Sequence, residues 1–257
     1  ACLVGSEMCI RDRNSMVPKY FLNYSKTIKH QIMRNIFFNT QQQKEFEQKG
    51  YVKVSLLSKE EVSYLKNELT SLRPDDNFDP SENSTTNHST YHCTFLDTNK
   101  AYKRKVQQLI NQVFTPHINK FVDKYNILTS NFYVKPPGKG KFEIHQNWPT
   151  TADMHDTTLT FWCPLVDVTL ENGAIQVVEG SHKIVPDIAA ITAEPYFKNF
   201  EEALLQKYLK PIDMKAGECL IFDDGLIHYS GINQTENPRL AIQIETVPVS
   251  YTHLTLP

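Results

Sequence analysis

His145 and Asn147 stand two residues apart, His228 lies far downstream, and Arg239 follows it by eleven residues. In extended chain, residues i and i+2 share a face. His145 and Asn147 therefore aim together, with Gln146 on the opposite side. With His228 brought in from a distant strand, three side chains can occupy one face of a metal ion. The pattern is that of the two-histidine, one-carboxylate site of non-haem Fe(II) oxygenases, except that Asn147 stands where the carboxylate belongs. Such a site leaves positions for a 2-oxo acid, bound through its carboxylate and keto oxygens, and for dioxygen. Arg239, on a strand near the metal, could hold the distal carboxylate of 2-oxoglutarate with paired charge-assisted hydrogen bonds. Ser230, on the same face as His228, could donate to that carboxylate too. Tyr133 and Lys135 share a face of an earlier strand and could line the same pocket, and Trp162 could wall it.

Spacing alone does not make a site. The chain has nine histidines, and a lone strand histidine is more often a core or surface residue. His182, within Gly180-Ser181-His182-Lys183, reads as a turn residue just after a strand. His88 and His92 lie in a polar stretch and read as surface histidines.

The elements that must position these residues can be read in order. Residues 41–50 form a short polar helix closed by Gly50, and Tyr51–Val54 alternates like a strand. Ser58 and Glu61 form a capping box. After it Val62, Leu65, Leu69 and Leu72 recur at helical spacing until Pro74. Residues 75–99 make a long polar loop, and 101–125 a second amphipathic helix with Val106, Ile110, Phe114 and Ile118 on its stripe. From residue 127 the pattern is β: strands at Ile127–Lys135, Phe142–Trp148, Thr157–Val166, Ala174–Val178 after the Asn172-Gly173 turn, Gly217–Phe222, Ile227–Tyr229 and Leu240–Val247. Residues 187–210 read as an inserted helical lid. Helices followed by many short strands predict an α+β protein built on an antiparallel barrel or jelly roll.

The chain has 257 residues, 40% of them hydrophobic and 22% charged, with a formal net charge of −2. That is an ordinary globular composition, and its charge gives no reason to propose nucleic acid or an anionic membrane as partner. No apolar run approaches the roughly 20 residues that span a bilayer. Five irregularly spaced cysteines indicate neither a disulfide framework nor a zinc knuckle, and a reducing cytoplasm fits best. Residues 1–13 and 249–257 resemble translated sequencing-adapter DNA and are expected to be artefactual, with 14–40 an N-terminal extension.

Several segments occur together in a telling order: Glu45-Phe46 to Gly50-Tyr51-Val52, Lys135-Pro136-Pro137-Gly138 to His145-Gln146, Phe161-Trp162-Cys163-Pro164-Leu165 to Asn172-Gly173-Ala174, Gly180-Ser181-His182-Lys183, and His228-x-Ser230-Gly231-x-Asn233 with Arg239. In these the sequence resembles the phytanoyl-CoA dioxygenase family of Fe(II)/2-oxoglutarate oxygenases over roughly residues 41–247, as a single domain. The resemblance implies a double-stranded β-helix (jelly-roll, cupin-like) core. It implies His145 and His228 as iron ligands, Arg239 and Ser230 at the distal carboxylate of 2-oxoglutarate, and Gln146, Tyr133 and Trp162 near the pocket. Fe(II), 2-oxoglutarate, dioxygen and a small-molecule substrate would be the cofactors and partners.

At position 147 the resemblance implies Asp, and this chain has Asn. Asn147 could ligate Fe(II) through its neutral carbonyl oxygen, with weaker binding for want of a charge. A nearby acid, Asp153 or Asp156, could reach the metal instead. The site could also have lapsed, leaving a non-catalytic binding module on the same fold. Halogenation normally needs a small residue at that position, and Asn fills the space. A hydrolase or isomerase using another divalent metal on a cupin-like barrel would have no need of Arg239 and Ser230.

Overall fold

Among the described residues the buried hydrophobic side chains of the long strands sort onto the two faces of one antiparallel sheet, and that sorting dictates the architecture. The computed structural model describes residues 35–74, 77–78, 90–147, 157–184 and 197–251. Helix α1 (Thr40–Lys49) starts at Asn39, whose side chain accepts from the N–H groups of Gln41 and Gln42, and ends at Gly50 with φ +85°. A Cβ at Gly50 would meet His182 Nδ1 at 2.5 Å and Leu226 at 2.8 Å, so both the backbone angle and the space call for glycine. Strand β1 (Tyr51–Ser55) follows, then helix α2 (Lys59–Ser71) with the predicted Ser58–Glu61 capping box. A two-residue strand β2 (His92–Cys93) precedes helix α3 (Lys100–Phe121), which opens on an Asn99 cap.

The remaining strands are β3 (Tyr125–Lys135), β4 (Phe142–His145), β5 (Leu159–Pro164), β6 (Ile175–Val178), β7 (Leu209–Pro211), β8 (Glu218–Asp223), β9 (His228–Ser230) and β10 (Arg239–Pro248), with helix α4 (Glu201–Lys207) before β7. A six-stranded sheet runs β1-β8-β5-β10-β3-β2 and a four-stranded sheet β4-β9-β6-β7. All recorded pairings are antiparallel. This is the α+β, jelly-roll architecture expected.

Alternation explains the layers. Val52, Val54, Phe132, Val134, Phe161, Cys163, Ile221, Leu240, Ile242 and Ile244 leave one face of the large sheet and pack with α1, α2 and α3 through Phe46, Leu65, Leu69, Val106, Ile110 and Phe114. Tyr51, Trp162, Leu220, Phe222 and Ala241 leave the other face and meet Ile175 and Val177 of the small sheet. The large sheet is buried on both sides, so β5 is buried at all six positions. Between the sheets, polar residues interrupt the apolar filling at Asn131, Lys135, Thr160, Arg239, Gln243 and Glu245, and those interruptions define the site.

Three expectations need correction. The 187–210 segment is not helical throughout. Of its described part, only Lys198–Phe200 (a 3-10 turn) and α4 are helical, and Leu209–Pro211 is β7, paired with β6. The edge of the small sheet offers a hydrogen-bonding partner that local propensity does not reveal. Strand β4 stops at His145 rather than running on to residue 148. His92 is not on the surface: it is 2% exposed, its Nε2 lies 3.0 Å from the Tyr102 hydroxyl, and burial holds its pKa down to about 4. His88, Trp148, Asp153, Asp156 and parts of the 75–99 loop and of the 187–210 segment lie outside the described residues.

Candidate active site

His145 and His228 are direct partners across the β4–β9 pair. Their ring centroids lie 4.1 Å apart. Each ring places Nδ1 against a backbone carbonyl two residues earlier, His145 at 2.7 Å from Glu143 O and His228 at 2.9 Å from Leu226 O. A carbonyl only accepts, so Nδ1 carries the hydrogen and Nε2 keeps its lone pair. That is the tautomer and bracing of histidines that hold a metal. Burial lowers both pKa values, and for His228 the neighbouring His145 lowers it further. Both rings are therefore neutral, as ligands must be. Phe222 stands edge-on to His228 at 5.0 Å and Phe142 stacks near His145 at 6.5 Å, which limits ring rotation.

Eight of the residues singled out from sequence line one cavity of about 280 Å³: Tyr133, His145, Gln146, Asn147, Trp162, His228, Ser230 and Arg239. Lys135, also expected there, does not line it, and Gln146 does although alternation put it on the far side. With β4 ended at His145 the alternation no longer holds, and the Gln146 amide donates to Gly225 O at 2.7 Å. Its Oε1 is buried without a partner.

Arg239 is 2% exposed. Its guanidinium lies 5.1 Å from the Trp162 ring centroid, and Nη1 donates to Gly173 O at 3.0 Å. Its Nε has no partner. Lys135 stands opposite Arg239 in the β3–β10 register and is fully buried. Its Nζ donates to Ser230 Oγ at 2.5 Å and to Gly231 O at 2.6 Å. Burial, and secondarily Arg239, push Lys135 down to about 5, and burial brings Arg239 down to about 10. No carboxylate among the described residues pairs with either. Ser230 donates to Gly173 O at 2.7 Å, so its hydrogen is committed to the turn. The guanidinium of Arg239, its Nε unpartnered, lines the cavity at this end, and Lys135 stands outside the lining.

On the opposite side of the histidines lies an acid that sequence reading missed. Asp224 is buried and accepts from the hydroxyls of Thr158 and Thr160, the latter at 2.8 Å, while Asn147 Nδ2 stands 3.4 Å from its Oδ1. Burial pushes it up to about 7, against the pull of those hydroxyls. Asp223-Asp224-Gly225 reads as a turn, which hides it. Gln243, Glu245 and Asn131 also line the cavity. Their signal was available: Arg239, Ala241, Gln243 and Glu245 are one face of β10, polar against an apolar other face.

These residues fit an iron and a 2-oxo acid. Two braced neutral imidazoles present lone pairs to one cavity, an asparagine adjoins them, and buried Arg239, with no carboxylate beside it among the described residues, faces the same space. Among the described residues no three His, Cys, Asp or Glu side chains cluster as a metal site, and Asn147 lines the cavity with both histidines.

Comparison with known proteins agrees. The family description phytanoyl-CoA dioxygenase (PhyH) matches residues 46–241. The chain belongs to the phytanoyl-CoA dioxygenase family. Among curated members it is similar to the phytanoyl-CoA dioxygenase domain-containing protein 1 homolog of Dictyostelium discoideum, 26% identical over 118 residues, 42% of this chain and 41% of that one. It also resembles the multifunctional dioxygenase ausE of Aspergillus calidoustus, 28% identical over 109 residues, 41% and 34% of the two chains. The matches thus span less than half the length of these relatives. In fold it is similar to SnoK, a non-heme alpha ketoglutarate dependent carbocyclase from nogalamycin biosynthesis (TM-score 0.62, 16% identity, 82% of this chain and 84% of that). A second neighbour is EctD from S. alaskensis, solved with 2-oxoglutarate and 5-hydroxyectoine (TM-score 0.56, 21% identity, 83% and 77%). No helix among the described residues is long and apolar enough to cross a membrane.

Proposed function

We propose that this chain is an Fe(II)- and 2-oxoglutarate-dependent dioxygenase that hydroxylates a small organic substrate. The observation that carries the reading is buried Arg239, with no carboxylate beside it among the described residues, in the same cavity as two facing, braced histidines; Lys135 is its cross-strand partner. Burial and Arg239 hold the Lys135 amine uncharged at neutral pH, so the guanidinium is the buried cation that lacks a counter-charge among the described residues. A dicarboxylate cosubstrate would supply that counter-charge.

In this reading His145, Asn147 and His228 hold the iron. Arg239 takes the distal carboxylate of 2-oxoglutarate, Lys135 holds Ser230 and Gly231 behind it, Gly173 fixes the guanidinium, and Trp162 backs it. Bound there, iron would couple oxidative decarboxylation of 2-oxoglutarate to succinate and CO2 with transfer of an oxygen atom from dioxygen to a substrate C–H bond. The chain's own residues do the rest. Phe142, Phe222 and Ile175 exclude water around the histidines. Gln146 offers a buried acceptor. Glu245 and Gln243, further along β10 from Arg239, present the polar end of the cavity to the substrate. Glu245 is half-buried, its recorded hydrogen-bond partner is Gln243 at 3.3 Å, and burial raises its pKa. A substrate bearing a protonated amine matches that end best. Cysteines 93, 163 and 219 are free and buried, in keeping with a cytoplasmic enzyme.

Anaerobic titration of the full chain with Fe(II) and 2-oxoglutarate tests the proposal. A visible metal-to-ligand charge-transfer band, followed by oxygen-dependent succinate formation, is the expected result. Absence of both overturns it.

A further inference from the structure

We infer that Asp224 positions Asn147 as an oxygen ligand and supplies, from directly behind it, the negative charge that Asn147 lacks. This rests on the reading of His145, Asn147 and His228 as the metal-holding set.

Asn147 is tied to Asp224 twice. Its backbone N–H donates to Asp224 O at 2.9 Å, and its side-chain Nδ2 lies 3.4 Å from Asp224 Oδ1. The same Nδ2 donates to Thr160 Oγ1 at 2.8 Å. Counting hydrogens fixes which way the amide faces. Thr160 Oγ1 donates to Asp224 Oδ1 at 2.8 Å. The one hydroxyl hydrogen of Thr160 therefore goes to Asp224, and the Thr160 oxygen must accept from Asn147. Nδ2 is thus held on the Thr160–Asp224 side. The carbonyl oxygen Oδ1 is turned the other way, in a residue that lines the cavity with both histidines.

Asp224 is itself unusual. It is 4% exposed, and its recorded side-chain partners, Thr158, Thr160 and Asn147, are all neutral. A buried carboxylate with neutral donors alone is unfavourable. A divalent cation on the far side of the Asn147 amide provides the missing counter-charge. Two neutral imidazoles, a neutral amide and one carboxylate behind it sum to the same charge as two imidazoles and a coordinating aspartate. A carboxylate accepting from the amide N–H also draws electron density toward Oδ1, making it a better oxygen donor. The charge has moved one hydrogen bond outward.

The test is metal affinity of the full-length apoprotein, titrated anaerobically with Co(II) and followed by calorimetry, with folding checked by circular dichroism. Wild type, Asp224→Asn and the double variant Asn147→Asp/Asp224→Asn are compared. The expected result is that Asp224→Asn weakens cobalt binding roughly 10–100-fold, while the double variant, with the carboxylate returned to the ligand position, binds at least as tightly as wild type. Equal affinity of wild type and Asp224→Asn overturns the inference alone. Wild type that binds no cobalt overturns this inference together with the metal-site reading. If Asp224→Asn does not fold, the double variant decides: wild-type affinity supports the charge transfer, and lost affinity in a folded double variant overturns it.

Discussion

Lys135 and Arg239 stand opposite each other on neighbouring strands, both buried, with no carboxylate of the described residues beside either. Replacing Lys135 by Met removes a buried amine whose charging is opposed by burial and by Arg239. The protein without cosubstrate is expected to gain stability, by about 1–4 kcal/mol on the precedent of buried charges replaced by hydrophobic side chains. The same variant should lose 2-oxoglutarate affinity. Denaturant melts with and without 2-oxoglutarate check both halves, and a destabilised variant that keeps its affinity contradicts the assignment.

Glu245 should govern what the cavity accepts. Glu245→Gln keeps the side chain's size and removes its charge. Binding of amine-bearing compounds is expected to weaken roughly 10–100-fold, as for a lost hydrogen bond to a charged group, with 2-oxoglutarate binding unchanged. A thermal-shift panel of cationic, neutral and anionic small molecules, run on both proteins with metal and 2-oxoglutarate present, shows whether the preference for cations exists and disappears.

Acid should destabilise the fold through His92. In the folded state its pKa is lowered to about 4 from 6.5, so below pH 6.5 the unfolded chain takes up a proton that the folded chain refuses. Stability contributed by the neutral, buried ring is fully present above pH 6.5 and declines as pH falls from 6.5 toward 4, by up to about 1.4 kcal/mol per pH unit. His145 and His228 act in the same direction. Urea denaturation across that range should be less steeply pH-dependent in His92→Phe than in wild type.

Gly173 is expected to tolerate no side chain. Its φ is +79°, and a Cβ there would lie 2.7 Å from Gly231 O and 2.8 Å from Lys135 Nζ. Its carbonyl also accepts from Ser230 and Arg239. Gly173→Ala should cost about 1–3 kcal/mol in backbone strain and disturb Lys135 and Arg239. Chemical denaturation measures the first effect and 2-oxoglutarate affinity the second.

Much of this organisation was legible in the sequence, and the exceptions have physical causes. The capping box at Ser58–Glu61, the Gly50 terminus and the α3 stripe are local signals, and local signals survive into the fold. Placement of His145, Asn147, His228 and Arg239 in one cavity followed from strand alternation combined with motif order. For Gln146 the resemblance implied the pocket while alternation put it on the far side, and alternation failed there because β4 ends one residue before it. Asp224 escaped because its partners Thr158 and Thr160 are 66 and 64 residues away, and nothing local separates it from a turn aspartate. His92 escaped because its tyrosine partner sits on a helix whose docking no local pattern foretells. Leu209–Pro211 escaped for the same reason as Asp224, since its pairing to β6 is a long-range event.

Strand β10 gives its odd positions from Arg239 to Glu245 to the cavity side and its even positions, Leu240, Ile242 and Ile244, to the helix-covered core. The two tasks therefore do not compete for the same side chains. A descendant of this protein could exchange Gln243 or Glu245, and so turn to a different metabolite, while every hydrophobic contact that keeps the strand in register stayed as it was.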